Sequence, residues 1–453
     1  MESDIFKAYD IRGIYHQDFE ADDVVKIAQT YLQIAARKAN KKISDLYLFL
    51  GRDIRVASEE LADITRKVFL EYGVTLDDGG LLSVNDFYFA MGTYHYDGGM
   101  MVTASHNPSK YGGFKMTFYD ESEGITFLNG KELYQVLQTV SFPLDAEKTA
   151  GKLVEKNIFS EHLKHVLSFV DVSKIKPLKV VVDTGNGMTA LMVPEIFKQL
   201  PCELVPLFFE LDGNFPNRPP NPLAEHATEK ITAKIKETQA DFGMMFDVDG
   251  DRFFLVDENG ELVRGDMTLI LLAKGMLAKY PQAGIVYNLI CSHAVKELVK
   301  AWGGHTVRSE VGYFNAARHM RESGAIMSGE LSSHFAFRDN FCTDNAFIAM
   351  LLALEAISVD GRKLSAIIKD FSLYIKGDEI NLTTADIPAA LEKIRVKYKA
   401  NILDELDGIT VEFSDWWCNV RASNTEPLLR IVVEAKTYEL WEEKKTELLT
   451  LLS

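Results

Sequence analysis

The sequence predicts an α/β fold of four domains: three successive mixed α/β sheet domains and a smaller α+β C-terminal domain, around a central cleft. First, 453 residues are enough for three or four domains of about 100–150 residues each. Second, short apolar runs alternate with amphipathic stretches, a pattern typical of mostly parallel sheets covered by helices. Third, this alternation restarts after polar stretches, which predicts domain ranges of 1–150, 151–258, 259–368 and 369–453.

Composition narrows the class of protein. Hydrophobic residues make up 47% of the chain and charged residues 25%, as in soluble globular proteins. With 49 Lys and Arg against 66 Asp and Glu, the net charge is −17, so nucleic acid is not expected as a partner. The acidic N-terminus and the lack of a long apolar run predict neither signal peptide nor membrane helix. Four widely spaced cysteines fit reduced thiols, so we expect a cytoplasmic protein; the sequence is silent on its oligomeric state.

The first domain opens with charged and aromatic residues. Taken alone, the run from Phe6 to Gly13 predicts a surface hairpin. A strand is expected from Leu46 to Leu50. Ser58 is then expected to cap a helix that Gly73 closes.

A serine loop follows the next predicted strand. The apolar run Gly98 to Val102 predicts a buried strand, and Thr103-Ala104-Ser105-His106-Asn107-Pro108, here called the serine loop, comes directly after it. Open α/β sheets bind ligands at the carboxyl ends of their strands, and Asn107-Pro108 predicts a turn that projects Ser105. A Ser-His pair such as Ser105-His106 is weak evidence alone, because most such pairs are ordinary polar loop. Lys115 adds a cation close in sequence.

The second domain carries an acidic loop. The turn Asp183 to Gly187 lacks the spacing of known phosphate-binding fingerprints, so it predicts a tight strand-to-helix turn. The strand Asp241 to Phe246 ends in Asp247-Val248-Asp249-Gly250-Asp251-Arg252, here called the metal loop. Alternate residues of an extended backbone point to one side, so the three carboxylates should converge on a cation. Oxygen ligands favour Mg²⁺; a solvated acidic loop or a calcium site is the alternative, and the EF-hand pattern is absent.

Two further polar loops lie in the last two domains. Gly329-Glu330-Leu331-Ser332-Ser333-His334 follows the predicted strand Ala325 to Ser328, and Glu330 and Ser332 are expected to face one ligand from an extended segment. His334 is either a structural histidine or part of the site. Arg421-Ala422-Ser423-Asn424-Thr425-Glu426-Pro427 concentrates a guanidinium, hydroxyls, an amide and backbone N–H groups, which favours an anion-binding nest.

These four loops, in this order, resemble the α-D-phosphohexomutases, specifically the bacterial phosphomannomutase/phosphoglucomutase type. The resemblance spans nearly the whole chain. It implies that Ser105 carries a phosphoryl group, that Glu330 and Ser332 bind the sugar, and that the last loop binds a phosphate. The implied metal ligands are Ser105, Asp247, Asp249 and Asp251; the implied catalytic residues are Ser105, His106, Lys115, Arg252 and His334; the implied substrate-binding residues are Tyr9, Arg12, Glu330, Ser332, Arg421, Ser423, Asn424 and Thr425.

The implied function is that of a phosphomannomutase, an isomerase-class enzyme that interconverts mannose 1-phosphate and mannose 6-phosphate. Phosphoserine 105 would donate to the free hydroxyl of a hexose phosphate, giving a hexose 1,6-bisphosphate whose other phosphate returns to the serine. Mg²⁺ and the bisphosphate are the expected cofactors. Lys115, Arg252 and His334 are the candidates for proton exchange, with Lys115 first.

Several alternatives remain open at this point. A phosphoglucomutase or a dual phosphomannomutase/phosphoglucomutase is close, because family members often accept both sugars. Leu331 stands where phosphoglucosamine mutases usually carry Gln, and Glu310 stands where the family often has Lys. A non-catalytic sugar-phosphate binder would keep the scaffold without the chemistry. A phosphatase with an aspartyl nucleophile would leave Ser105 and the last loop without a role.

Overall fold

The structure, a computed structural model, describes residues 1–384, 386–423 and 428–452. The chain divides into two compact units, described separately here. The first unit comprises Met1–Val263 and Phe337–Leu364, and the second comprises Arg264–Ala336 and Ser365–Ser453. Within the described ranges, no helix is both long enough and apolar enough to cross a membrane.

The first sheet is built mainly from parallel strands. Its strands run in the order β1-β5-β4-β2-β3-β7, with β6 on the outer side of β5. Strands β2, β3, β4 and β7 are parallel, whereas β1 and β5 pair antiparallel. The elements of this region are β1 (Ile11–Ile14), α1 (Ala21–Ala39), β2 (Tyr47–Arg52), α2 (Ser58–Glu71), β3 (Thr75–Leu81), α3 (Val84–Tyr94), β4 (Gly98–Val102), β5 (Tyr111–Asp120), β6 (Gly124–Leu128), α4 (Gly130–Leu137) and β7 (Lys152–Glu155).

Burial explains why β4 occupies the middle of this sheet. All five of its residues are buried, as its unbroken apolar run predicts for a strand covered on both faces. One local expectation was wrong: Ser58 does not cap α2. It is the first residue of the helix, and its hydroxyl donates to Asp53 Oδ1 at 2.5 Å. Gly73, with φ of +82°, does follow the end of the helix.

A glycine on β5 allows β1 to approach. A Cβ on Gly113 would lie 1.9 Å from the carbonyl oxygen of Ile11 in the paired strand. We therefore expect Gly113→Ala to push β1 away and to lower the free energy of unfolding by about 1–3 kcal/mol. Chemical denaturation checks this. The control is Gly112→Ala, whose nearest neighbour is only the side-chain tip of Leu61, at 2.8 Å. Equal losses in both variants would contradict the argument.

The second sheet follows the same logic with four strands. Its order is β11-β10-β8-β9; β8 is parallel to β9 and β10, and β11 is antiparallel to β10. The turn after β8 is tight, as predicted, with Gly185 and Asn186 at φ of +59° and +61°. The elements are α5 (Phe159–Leu167), β8 (Lys179–Asp183), α6 (Val193–Phe197), β9 (Glu203–Leu207), α7 (Glu229–Thr238), β10 (Phe242–Phe246) and β11 (Phe253–Val256).

The rest of the chain forms the second unit, except for Phe337–Leu364, which belongs to the first unit. In the second unit, β12 is parallel to β13 and β14, and a separate antiparallel sheet runs β17-β22-β21-β20-β19 with β18 on β22. Strand β16 and helix α11 lie in the first unit. The elements are α8 (Gly265–Lys279), β12 (Gly284–Asn288), α9 (His293–Ala301), β13 (His305–Ser309), α10 (Tyr313–Ser323), β14 (Met327–Gly329), β15 (Phe335–Phe337), β16 (Thr343–Asp344), α11 (Ala346–Asp360), α12 (Leu364–Phe371), β17 (Ile375–Lys376), β18 (Ile380–Leu382), α13 (Ile387–Lys397), β19 (Ile402–Asp404), β20 (Ile409–Glu412), β21 (Trp416–Ala422), β22 (Leu429–Ala435) and α14 (Tyr438–Leu452).

This architecture confirms the predicted fold class of three mixed α/β regions and a smaller α+β C-terminal domain. The residue bounds given above for the four domains stay a prediction.

Candidate active site

The serine loop leaves the carboxyl end of β4 in a sharp turn. Ser105 has φ of +51°, a left-handed backbone that is uncommon for a residue with a side chain, and it is only 2% exposed. Its backbone N–H donates to Thr103 Oγ1 at 2.9 Å. Its hydroxyl lies 3.1 Å from His106 Nδ1. The loop therefore holds the serine in one defined orientation.

The metal loop leaves the carboxyl end of β10 and brings its three carboxylates together. One ligand oxygen from each of Asp247, Asp249 and Asp251 lies within 4.8 Å of the others, and all three residues are buried. Asp247 Oδ2 and Asp249 Oδ1 are buried without a hydrogen-bond partner. Burial, followed by the negative charges of Asp251 and Asp249, raises the pKa of Asp247 well above its usual value. The predicted convergence is confirmed, and three hard oxygen donors with unsatisfied lone pairs fit a divalent cation.

Helix α3 fixes the backbone of the metal loop. Near its N-terminus, Val84 N–H donates to the carbonyl of Asp249 at 2.9 Å, and the Asn85 amide donates to the carbonyl of Gly250 at 2.5 Å. Gly250 has φ of +81°, and a Cβ there would lie 2.6 Å from the Thr189 methyl group. The backbone that carries the carboxylates is therefore held in place by helix α3, which follows a strand of the first sheet.

Thr103 of the serine loop and Lys115 on β5 both contact the metal loop. Thr103 Oγ1, which accepts the Ser105 N–H, lies 3.3 Å from Asp249 Oδ2. Lys115 Nζ lies 2.9 Å from the same oxygen and also contacts Asp251. Lys115 is 3% exposed, so its charge acts inside the protein. The site thus combines a constrained serine, a carboxylate cluster and one buried cation.

The structure also brings Arg12 to the serine loop. Its guanidinium donates to Asn107 Oδ1 at 2.8 Å and is held by Asp10 at 2.7 Å. Tyr9 is partly buried just before β1. Arg252 Nε lies 3.7 Å from Asp247 Oδ2. These residues all lie in the first unit.

Relief of charge repulsion gives a test of the metal loop. We expect Asp247→Asn to raise the melting temperature in EDTA by about 2–4 °C, because one buried like charge disappears. The asparagine oxygen can still accept the Arg252 N–H, which donates to Asp247 Oδ1 at 3.1 Å. Added Mg²⁺ should then stabilise the wild type but not the variant, as measured by differential scanning fluorimetry.

The matched control for this variant is Asp241→Asn. Asp241 is exposed just before the same strand, and its carboxylate accepts the Lys179 N–H at 2.7 Å, which an amide oxygen can also do. Its melting temperature should stay unchanged, with or without Mg²⁺. A lower melting temperature of Asp247→Asn in EDTA would contradict charge repulsion at the metal loop.

The second unit carries the loop Gly329 to His334. The expected extended segment was wrong: Ser333 N–H donates to the carbonyl of Glu330 at 3.0 Å, and Ser333 has φ of +68°, so the loop is a turn. Glu330 is buried, and its carboxylate accepts the Gly312 N–H at 2.8 Å and the Ser332 hydroxyl at 3.1 Å. The His334 ring packs on Tyr313, with centroids 5.8 Å apart. The turn still groups Glu330, Ser332 and His334.

Two departures from the family pattern have local explanations. Leu331 packs against an apolar cluster that includes Trp417 and Ile290. Glu310 is bonded to Arg318 at 3.0 Å and to His319 at 2.8 Å. Burial raises the pKa of Glu310, but hydrogen bonds from its own backbone, from His319 and from Arg318 outweigh burial, so the pKa is lowered. Glu310 is thus a carboxylate paired with the guanidinium of Arg318.

The C-terminal candidate loop is described only in part. Arg421, at the end of β21, is 2% exposed and donates to Glu379 Oε1 at 2.7 Å. Glu379 also bonds Arg430, the residue opposite Arg421 on β22, at 3.3 Å. Ser423 N–H donates to the carbonyl of Leu428 at 2.9 Å. Asn424 and Thr425 lie outside the described residues.

Sequence reasoning missed several residues that shape this site. Thr103 was within the serine loop but given no role, although it links the two loops. Asn85 lies 165 residues from the carbonyl it holds. Asp53 and Arg55 also contact the serine loop region from the end of β2. The only available signal was their position after a strand, where site residues of α/β folds concentrate.

Comparisons with known proteins cover almost the whole chain. Models of the phosphoglucomutase/phosphomannomutase family match four stretches: alpha/beta/alpha domain I matches residues 3–130, domain II residues 158–260, domain III residues 264–374 and the C-terminal domain residues 379–451.

Relatives and a solved structure agree with these matches. A phosphomannomutase of Methanocaldococcus jannaschii is 33% identical over 453 residues, covering 99% of this chain and 97% of the relative. The phosphomannomutase/phosphoglucomutase of Pseudomonas aeruginosa is 31% identical over 452 residues, covering 98% and 95%. A phosphoglucomutase/phosphomannomutase family protein from Burkholderia thailandensis superimposes with a TM-score of 0.86 at 28% identity, covering 100% of this chain and 97% of that chain. The family resemblance is confirmed, and the chain belongs to the phosphoglucomutase/phosphomannomutase family.

Proposed function

We propose that this protein is a phosphomannomutase, an isomerase that interconverts mannose 1-phosphate and mannose 6-phosphate through a phosphoserine at Ser105. One observation carries the proposal: Thr103 links the Ser105 backbone to Asp249, with the Lys115 ammonium on the same carboxylate. A nucleophile, a cation-binding cluster and a buried positive charge are what phosphoryl transfer requires, since it depends mainly on position and charge. The names of the full-length relatives support mannose phosphates as substrates.

The chemistry is one transfer run in both directions. The bond between phosphorus and Ser105 Oγ breaks as the oxygen of the free sugar hydroxyl bonds to phosphorus. The proton of that hydroxyl passes to a neighbouring base, and the released serine oxygen takes up a proton to become a hydroxyl again. The product is a hexose 1,6-bisphosphate, whose other phosphate then returns to Ser105. When bound to Asp247, Asp249, Asp251 and the serine oxygen, Mg²⁺ would supply positive charge to the transferring group.

The remaining candidate residues receive roles on chemical grounds. Lys115 is our first candidate for proton exchange with the sugar hydroxyl, with Arg252 and His334 as the others, and His106 bonds the nucleophile. Arg12 and Tyr9 would contact the phosphate on the serine. Glu330 and Ser332 would bind sugar hydroxyls, and Arg421, Ser423, Asn424 and Thr425 would bind the phosphate that is not transferring.

Glucose phosphates are the second candidate substrates. The relative from Pseudomonas aeruginosa is named for both activities, so a dual phosphomannomutase/phosphoglucomutase is the near variant. Leu331 packs against an apolar cluster, so its side chain offers no polar contact that would favour one sugar over the other. We further propose that the protein acts in the cytoplasm on small hexose phosphates, without nucleic acid or membrane as partners.

A coupled assay tests the proposal. The purified protein is incubated with Mg²⁺, mannose 1-phosphate and a trace of glucose 1,6-bisphosphate, and the formation of mannose 6-phosphate is followed. A parallel reaction with glucose 1-phosphate ranks the two sugars. Release of inorganic phosphate alone would favour a phosphatase instead. Binding of the sugar phosphate without turnover would favour a non-catalytic binder.

A further inference from the structure

The buried guanidinium of Arg55 donates hydrogen bonds to several backbone carbonyl groups of the serine loop. Arg55 Nη2 donates to the carbonyl of Ser105 and, at 2.7 Å, to that of Asn107. Its Nη1 donates to the carbonyl of Pro108 at 2.8 Å and lies 3.3 Å from that of Tyr111. Four carbonyl oxygens that would otherwise repel one another therefore share one cation.

Arg55 is itself held in place from several sides. Its Nε lies 3.2 Å from Asp53 Oδ2, and its own N–H donates to Asp53 Oδ1 at 3.0 Å. The Ser58 hydroxyl fixes the same carboxylate, and the Phe215 ring covers the guanidinium at 5.1 Å. Arg55 is 1% exposed and Asp53 is fully buried. In the folded protein the guanidinium is therefore shielded from water.

The backbone of Ser105 needs such support. A left-handed φ of +51° is disfavoured for a residue with a Cβ, so surrounding contacts must stabilise it. That conformation turns the Ser105 carbonyl toward Arg55 and sets the direction of the hydroxyl. If the carbonyl lost its partner, the turn would relax and the oxygen that carries the phosphate would move.

We propose that Arg55 is a positioning residue: held by Asp53, it fixes Ser105 in the left-handed conformation from which phosphate is transferred. This inference rests on the proposed function, because it concerns the group attached to Ser105. Arg55 acts through the loop backbone. Its loss should therefore slow transfer far more than it weakens substrate binding.

Single-turnover kinetics test the inference. Enzyme phosphorylated with glucose 1,6-bisphosphate is mixed with mannose 1-phosphate, and transfer is timed. In Arg55→Lys, which keeps the charge but loses the fork of donors, we expect transfer about a hundredfold slower. The KM for mannose 1-phosphate should change by less than about threefold. Millimolar guanidinium should partly restore Arg55→Ala and leave the control Arg66→Ala unchanged; Arg66 bonds Asp78 at 2.6 Å in the same domain.

A second readout is independent of activity. Backbone amides of residues 104–111 should exchange hydrogen for deuterium at least about tenfold faster in Arg55→Lys, and also faster in Asp53→Asn, but not in Arg66→Ala. Wild-type transfer rates and wild-type exchange in folded Arg55→Lys would overturn the positioning role. If the wild type itself transfers no phosphate, the proposed function fails, and hydrogen exchange alone decides whether Arg55 fixes the loop.

Discussion

Mutase turnover should disappear in Ser105→Ala, because the phosphate then has no protein oxygen to occupy. We expect the rate of mannose 6-phosphate formation to fall by about four orders of magnitude or more, the scale seen when a covalent nucleophile is removed. Ser105 is buried, and alanine differs from it only by loss of the hydroxyl that lies 3.1 Å from His106 Nδ1, so alanine fits without a clash. Incubation with glucose 1,6-bisphosphate should leave a phosphate on the wild-type tryptic peptide containing Ser105, as detected by mass spectrometry.

A neighbouring serine provides the matched control. Ser109 lies just beyond the serine loop and is partly exposed, so Ser109→Ala should keep wild-type turnover and wild-type phosphorylation. Residual turnover above a hundredth of the wild-type rate in Ser105→Ala would mean that another group carries the phosphate. Asp247 would be the first residue to examine in that case.

Replacing Lys115 by methionine should cause the largest loss of stability among these variants. The ammonium group lies 2.9 Å from Asp249, contacts Asp251, and is nearly inaccessible to water. Removing it leaves buried carboxylates uncompensated, so we expect the free energy of unfolding in EDTA to fall by about 3–5 kcal/mol. Mutase activity should be lost as well. Chemical denaturation followed by far-UV circular dichroism measures the stability, because the four tryptophans all lie in the second unit and Lys115 lies in the first.

Recovery by added positive charge or by removal of a negative charge distinguishes this effect from the ordinary loss of a side chain. Mg²⁺ should recover part of the stability of Lys115→Met, because a cation can replace the missing charge. Adding Asp247→Asn to Lys115→Met should also recover part of it. Lys148→Met is the control: its ammonium donates a hydrogen bond to Glu71 at 3.1 Å, but the side chain is 57% exposed, so the stability of this variant should stay close to that of the wild type. Equal stability of Lys115→Met and wild type in EDTA would contradict the argument.

The sequence predicted those parts of the site that depend on local pattern. A buried strand followed by alternate aspartates was enough to predict that Asp247, Asp249 and Asp251 converge, because side-chain direction repeats every two residues. The position of Ser105 after β4 follows from the same reasoning about strand ends. The α/β character of the first three regions and the α+β character of the C-terminal region followed from where helical and strand patterns alternate, whereas the order of the strands within each sheet came only from the structure.

Predictions failed where a polar group forms a hydrogen bond with a tertiary partner instead of the local backbone partner that the sequence pattern predicts. Ser58 was expected to cap its helix, but Asp53 accepts its hydroxyl. Glu330 and Ser332 were expected on an extended segment, yet the Gly312 N–H binds the Glu330 carboxylate, and the segment is a turn. Arg55 reaches a carbonyl 50 residues away. Such partners depend on tertiary structure, which periodicity and turn propensity do not encode.

The contacts around Asn85 bear on how such enzymes can be recombined. The side-chain oxygen of Asn85 accepts the Ala346 N–H at 3.0 Å, while its amide holds Gly250. Ala346 begins α11, which belongs to the stretch matched as domain III but packs within the first unit. Exchanging that stretch between relatives would therefore also replace a support of the metal loop. The borders of the family domain therefore differ from the borders of the compact unit. A chimaera made by crossing over at the domain borders can remove contacts that hold the compact unit together.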